Sequence, residues 1–199
     1  LSAALLLAAL ALGVLTSVPD VTWLIYAGEK LLDGQHLYSD VLEVNPPLSV
    51  LAYLPAIEIA RLAGVRPEAI VAALVVLGAA ASLALSGAVL KPILGADPAR
   101  RWKLAAAGLL VLGVMPAAAF GEREHLAVIC LLPFLCLCVA RAEGVRSGRA
   151  LAALAGAGLG LAICLKPHFA AVAGLPALWA RRRAGRFAPW RQLELWTGA

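Results

Sequence analysis

Charge is scarce in this chain. Only 15% of its 199 residues are Asp, Glu, Lys or Arg, against about 25% in soluble domains. With 62% hydrophobic residues, no soluble fold of this size could hide the apolar surface, and a lipid environment is implied. No basic stripe with interleaved aromatics occurs. The net charge of +5 therefore reads as a topology signal, and nucleic acid is excluded as a partner. Cysteine is sparse too: Cys130, Cys136, Cys138 and Cys164 all lie inside apolar runs. There a thiol acts as a small buried hydrophobe, which argues against disulfides or a cysteine metal site. No small-residue cleavage site follows the apolar run 1–18, so that run reads as a first membrane helix rather than a signal peptide. The chain lacks an initiator methionine and is apolar from Leu1, which reads as a fragment whose cytoplasmic start is missing.

What is present is a series of apolar runs near the ~20 residues that cross a bilayer. They cover 1–18, 68–90, 103–120, 125–140, 150–165 and 168–180, the shorter ones requiring tilt or local thinning. The expected fold is all-α, a polytopic transmembrane bundle of about six spans. Residues 181–199 form a cytoplasmic tail or the start of another span. Between the first two runs lies a polar stretch, 19–67, with two amphipathic pieces. The first sets Val21, Leu24, Ile25, Gly28, Leu31 and Leu32 on one helical face, with Thr22, Glu29, Lys30 and Asp33 facing away, as suits a helix at the membrane interface. The second opens on Asn45, Pro46 and Pro47, a helix-start signature, and carries Pro55, Glu58 and Arg61.

Loop charge decides whether that second piece crosses or lies flat. If it lies flat, residues 19–67 are external, with Asp20, Glu29, Asp33, Asp40, Glu43 and Glu58 against Lys30, Arg61 and Arg66. Lys91, Arg100, Arg101 and Lys103 then fall inside, Glu122–Glu124 outside, Arg141, Arg146 and Arg149 inside, Lys166 outside, and Arg181, Arg182, Arg183 and Arg186 inside. Every loop obeys the positive-inside rule. If the piece crossed, the most basic loops would face outward. The expected topology has two juxtamembrane helices in a first external loop, with Trp102 and Trp179 as interfacial anchors.

The outer face then collects the 19–67 loop, the Gly-Glu-Arg-Glu-His turn at 121–125 and the Lys-Pro-His turn at 166–168. Polar groups gathered at one edge of a membrane bundle mark a functional site. Asp20, Glu122 and Glu124 can abstract a proton from an acceptor hydroxyl, orient it, or hold a divalent cation. Arg123, Lys166 and His168 can neutralise a phosphate. Plainer roles stand beside these. Asp20 can be the N-cap of its helix. Glu122 to Glu124 can be a solvated turn, and Lys166 a snorkelling span end. His125 and His168 read as interfacial polar residues ahead of metal ligands.

The segment PDVTWLIYAGEKLLDGQHLYSDVLEVNPPL resembles the first external loop of GT-C fold glycosyltransferases, such as aminoarabinose transferases and protein O-mannosyltransferases. The matching features are an acid after the first span (Asp20), a Tyr in the juxtamembrane helix (Tyr26), Gly34 then Tyr38 near its end, and Pro46 with Pro47 opening the second helix. The GEREHL turn resembles the family's second acidic motif, with Glu where Asp is commoner. Glu124, followed by an apolar span, is the preferred position over Glu122. GLGLAICLKPH resembles the later Gly-rich span ending in a Lys turn.

The resemblance implies an inverting transferase in the cytoplasmic membrane. It would move a sugar from a polyprenyl-phosphate donor to a lipid, glycan or protein acceptor at the external or periplasmic face. Asp20 would be the base or acceptor-orienting residue, Glu124 with Glu122 would support acceptor or cation, and Arg123, Lys166 and His168 would meet the donor phosphate. Tyr26, Tyr38, Asp40 and Asn45 in the first loop are further substrate-binding candidates. Family members have more spans, so this chain would be their N-terminal part and inactive alone. The rival from another class is a polytopic transporter or flippase. Those proteins tend toward repeated halves and midplane polar groups, and the sequence offers neither.

Overall fold

The computed structural model describes residues 19–184 and Thr197, and the described chain is all helical apart from one isolated bridge between Leu37 and Val41. The expected first span at 1–18, and the tail beyond residue 184 with its start of a further span near Trp196, lie outside the described residues save Thr197. The helices are α1 (Pro19–Leu32), α2 (Leu48–Leu51), α3 (Leu54–Ala63), α4 (Pro67–Leu94), α5 (Pro98–Leu109), α6 (Arg123–Ala142), α7 (Arg149–Leu165) and α8 (Phe169–Arg183). Two of them, α4 and α6, are long and apolar enough to cross a bilayer, and α7 is a shorter apolar helix. In the most apolar window of α4 only 28% of residues are buried inside the protein, against 61% in α6. Helix α4 thus leaves most of its apolar surface without a partner among the described residues, whereas α6 is the central helix.

The hydrophobic periodicity of the first amphipathic piece is realised: α1 buries Val21, Leu24, Ile25, Ala27 and Gly28. Its approach to α3 is close. A Cβ on Gly28 would stand 2.5 Å from the Ile57 side chain, so glycine lets the two helices meet there. The second piece is divided. Asn45, Pro46 and Pro47 precede a single helical turn, α2, and Pro55 then sits in the first turn of α3, which ends at Gly64 in the left-handed region (φ 66°). The Arg61 guanidinium reaches back to Asp33 at 3.0 Å and ties α3 to the end of α1.

Two boundaries differ from expectation. Helix α4 runs past Lys91 and Pro92 to Leu94, because the stop signal is Gly95 at φ 63°. The run 103–120 is not one regular helix. Helix α5 starts at Pro98, capped by the Asp97 carboxylate on the Ala99 N–H. It gives way to a π-helical turn at Leu110–Val114 and a 3₁₀ turn at Ala117–Ala119. Pro116 follows the π turn and has no N–H to continue the ladder.

The core falls into two parts. One joins α6, α7, α8 and the end of α4 through Leu131, Phe134, Leu137, Leu159 and Ala162. The other joins α1, α2, α3 and the start of α4 through Leu24, Val50, Ile57 and Val75. Helices α6 and α7 meet so closely that a Cβ on Gly158 would lie 2.3 Å from the Cys130 carbonyl oxygen. Buried hydroxyls cross-link the elements: Ser82 donates to the Ile129 carbonyl (2.7 Å) and Ser49 to the Leu165 carbonyl (3.3 Å). The second bond fixes α2 beside the C-terminal end of α7, where Lys166 follows.

Candidate active site

Three chain segments far apart in sequence deliver charge to one end of this bundle. Asp20 lies in the first turn of α1, where a carboxylate complements the helix dipole. Glu122, Arg123 and Glu124 open α6, and Lys166 closes α7. One oxygen from each of Asp20, Glu122 and Glu124 lies within 4.8 Å of the others.

The cations bind two of the three acids. Arg123 grips Asp20 in a two-pronged pair, Nε donating to Oδ2 at 3.1 Å and Nη2 to Oδ1 at 2.8 Å. This is the fork geometry that makes arginine–carboxylate pairs strong. The Arg123 side chain is only 9% exposed and Asp20 31%. Asp20 is therefore committed to a side chain 103 positions away, and no cap bond to its own helix is seen among the described residues. Lys166 forms an ion pair with Glu124. Glu122 forms no ion pair among the described residues, so three carboxylates against two cations leave it uncompensated. Burial, then the neighbouring Asp20 and Glu124 charges, push its carboxyl above the ordinary value of 4.5. The Nη1 of Arg123 is buried and has no hydrogen-bond partner among the described residues, an unsatisfied donor in a group that normally finds acceptors.

The turn that presents these residues is braced from behind. Gly121, in the left-handed region (φ 84°), accepts the buried Tyr53 hydroxyl on its carbonyl at 2.8 Å. Its N–H donates to His125 Nδ1 at 3.1 Å. That bond makes Nδ1 an acceptor, so Nε2 carries the proton and donates to the Leu112 carbonyl at 2.9 Å. His125 is thus a buried strut between α6 and the π turn. Burial, then the Asp20 charge, raise the Tyr53 hydroxyl's pKa and keep it a neutral donor.

The other expected residues have different partners. In the first loop Glu43, 7% exposed, accepts from the Trp23 indole (2.8 Å), from the N–H groups of Val44 and Asn45, and from the Asn45 side-chain amide. Burial pushes its carboxyl up, but the bonds from Asn45, Trp23 and Val44 outweigh it and hold the group below its usual value. Asn45 is therefore a loop brace. Tyr38 takes a left-handed φ of 75°, a strained conformation for a non-glycine. Its N–H bonds to the Val41 carbonyl (2.9 Å) and its hydroxyl to the Asn45 carbonyl (2.7 Å). Asp40 receives the His36 N–H and faces the His36 ring, which together lower its pKa. Tyr26 lies exposed beside Trp23 and under Lys30, and exposed His168 stacks on Phe169.

Sequence reasoning thus brought Asp20, Glu122, Arg123, Glu124 and Lys166 to one place, and missed Tyr53, His125 and Glu43 as the residues that hold the site and its loop. A signal for two of them existed: Tyr53 and Glu43 are polar groups inside apolar surroundings, Leu-Ala-Tyr-Leu and Val-Leu-Glu-Val, and such groups seek a partner when buried. No protein-family model, no curated protein and no solved structure matches this chain.

Proposed function

We propose that this chain belongs to a membrane glycosyltransferase that moves a sugar from a polyprenyl-phosphate donor to a lipid, glycan or protein acceptor at the outer face of the cytoplasmic membrane. The observation that carries the reading is the five-residue cluster: three carboxylates within 4.8 Å, two of them neutralised by Arg123 and Lys166, and one left over. Its chemistry matches the reaction, because one end must accept a proton and the other must receive a phosphate. The bland reading of 122–124 as a solvated turn accounts less well for an arginine side chain only 9% exposed at this edge.

The membrane part of the reading takes six spans, at 1–18 and in the five runs that follow. Helix α3 has ten residues, about 15 Å of helix, half of the ~30 Å hydrocarbon core. It supports a flat-lying second piece, hence an external cluster and internal basic loops. The apolar, largely unburied surface of α4 favours lipid around it.

In the proposed step Glu122 accepts the proton of the acceptor hydroxyl. The freed oxygen attacks the anomeric carbon from the face opposite the phosphate, and the carbon–oxygen bond to phosphate breaks with its electron pair leaving on polyprenyl phosphate. The configuration inverts. Glu122 suits the base role better than Asp20, both of whose oxygens are engaged by Arg123. Glu124 orients the acceptor. Lys166 meets the phosphate and stabilises the charge that grows there, and the buried Arg123 guanidinium adds positive potential from behind. The carboxylate set also fits a hard divalent cation. Asp20, Glu122 and Glu124 would hold it, and it would supply further charge neutralisation.

The test is Glu122→Gln in the full protein, assayed for release of polyprenyl phosphate from its sugar conjugate. Loss of a general base predicts a kcat lower by roughly 10²–10⁴, with donor KM near wild type. Wild-type turnover in this variant would end the assignment.

A further inference from the structure

At the opposite, basic end of the bundle the α4–α5 pair encloses a second feature that the transfer reaction does not use. A cleft of about 330 Å³ opens between the two helices, lined by Leu83, Gly87, Ala88, Leu94, Leu104 and Ala105, with Lys91 and Arg101 also on its wall. Its volume is at the lower end of small-molecule sites, and its floor is aliphatic. The floor is open because Gly87 has no side chain: a Cβ built there meets nothing within 4 Å.

The two cations differ in their commitments. Arg101 is held in place through Nε and Nη2 on the Gly95 carbonyl, at 3.1 and 2.6 Å, which closes the end of α4 and leaves its other N–H groups without a bond among the described residues. Lys91 is exposed and forms no ion pair among the described residues. Arg100 is paired with Asp97. Trp102, 62% exposed, sits beside Arg101, as an aromatic at a membrane–water boundary would.

We propose that this cleft is a binding site for an anionic phospholipid of the basic-side leaflet, one acyl chain lying against Gly87 and Leu104 and the phosphate against Lys91 and Arg101. Charge complementarity selects this occupant. A neutral lipid leaves both cations unmatched, and so does the chain's own segment 1–18, which contains no acidic residue. An apolar slot ending in two cations combines the two recognition elements of a lipid anion, a hydrocarbon wall and a basic rim. The inference rests on the membrane-embedded reading, and not on glycosyl transfer.

The experiment is native mass spectrometry of the full protein released from nanodiscs of equal parts phosphatidylglycerol and phosphatidylcholine. Wild type retains phosphatidylglycerol preferentially. Lys91→Gln reduces that retention about five-fold, the effect of one interfacial cation, and Gly87→Leu, which fills the slot, reduces it as strongly while folding is monitored by circular dichroism. Equal retention of the two lipids by wild type overturns the site. So does a Gly87→Leu protein that keeps wild-type preference, because the chain would then lie elsewhere. Efficient disulfide formation between a Gly87→Cys thiol and a cysteine introduced within 1–18 would overturn it in favour of the chain's own segment. A protein that stays monomeric without lipid or detergent would instead remove the membrane reading itself, an outcome separable from the others.

Discussion

Replacing Asp20 tests the site's architecture before its chemistry. In wild type the buried Arg123 guanidinium is matched by both Asp20 oxygens. Asp20→Asn keeps the shape and removes the charge. Breaking a buried pair from one side costs about 3–5 kcal/mol. Here Asp20 is 31% exposed, and Glu122 and Glu124 lie within 4.8 Å of it, so residual negative charge still faces the guanidinium. Both facts lower the figure, to about 2 kcal/mol. Arg123→Met removes the cation instead and leaves three facing carboxylates, at a cost of about 1–2 kcal/mol. The double variant has neither a buried orphan nor a third acid, and should be less destabilised than the sum, with a coupling of at least ~1 kcal/mol. Chemical unfolding in mixed micelles measures all four corners of the cycle. Effects that add within ~0.5 kcal/mol would refute the pair. The same arithmetic makes Asp20→Asn a poor probe of catalysis, since it loosens the site whatever its chemistry.

Other perturbations have equally definite outcomes. Because the folded protein raises the Glu122 pKa above 4.5, the native state holds its proton longer than the unfolded chain. Stability then falls as pH climbs from 4.5 through the raised value, and Glu122→Gln should flatten that decline and be more stable than wild type at pH 7; a less stable variant would contradict this. Tyr53→Phe deletes the bond to the Gly121 carbonyl and should cost about 1–2 kcal/mol in thermal unfolding, whereas an unchanged midpoint would remove Tyr53 from the site's support. Gly158→Ala drives a methyl against the Cys130 carbonyl, a backbone group that cannot rotate away, and should destabilise by about 1–3 kcal/mol; Gly174→Ala, with open space around it, should be near neutral. For sidedness, a cysteine at exposed Gln35 should react with an impermeant reagent from outside and one at exposed Arg146 should not; the reverse pattern would invert the topology. Glu43, buried in its network, is unsuited to that labelling.

Much of this structure is written in hydropathy. Runs of Ala, Leu and Val bounded by Gly, Pro and charge mark α4, α6, α7 and α8 to within a few residues, because a helix in an apolar setting needs little beyond continuous backbone bonding. Where backbone geometry decides, hydropathy is blind. It carries α4 no further than Leu90, although the chain turns only at Gly95, and it reads 103–120 as one span where Pro116 follows a π turn. The charged cluster was legible because acids are rare here and only a few can gather at one edge. Its pairing was not, since Asp20 meets Arg123 through the packing of α1, α3, α4 and α6, and nothing local in either segment encodes that contact. The resemblance of the first external loop groups Tyr26, Tyr38, Asp40 and Asn45 with the site. The fold instead gives Tyr38 and Asn45 to a loop network around Glu43, whose importance shows only once its four hydrogen bonds are seen.

The central claim is that Asp20, the 121–125 turn and Lys166 form one site for a polyprenyl-phosphate sugar. Photocrosslinking tests it without needing turnover or a known acceptor. A polyprenyl-phosphate sugar carrying a diazirine next to the phosphate is irradiated with the full protein, and the labelled peptides are mapped with and without excess unlabelled donor. The account predicts label on residues 19–26, 121–125 and 166–168, lost on competition. Label confined to other segments, or undiminished by competitor, would contradict it.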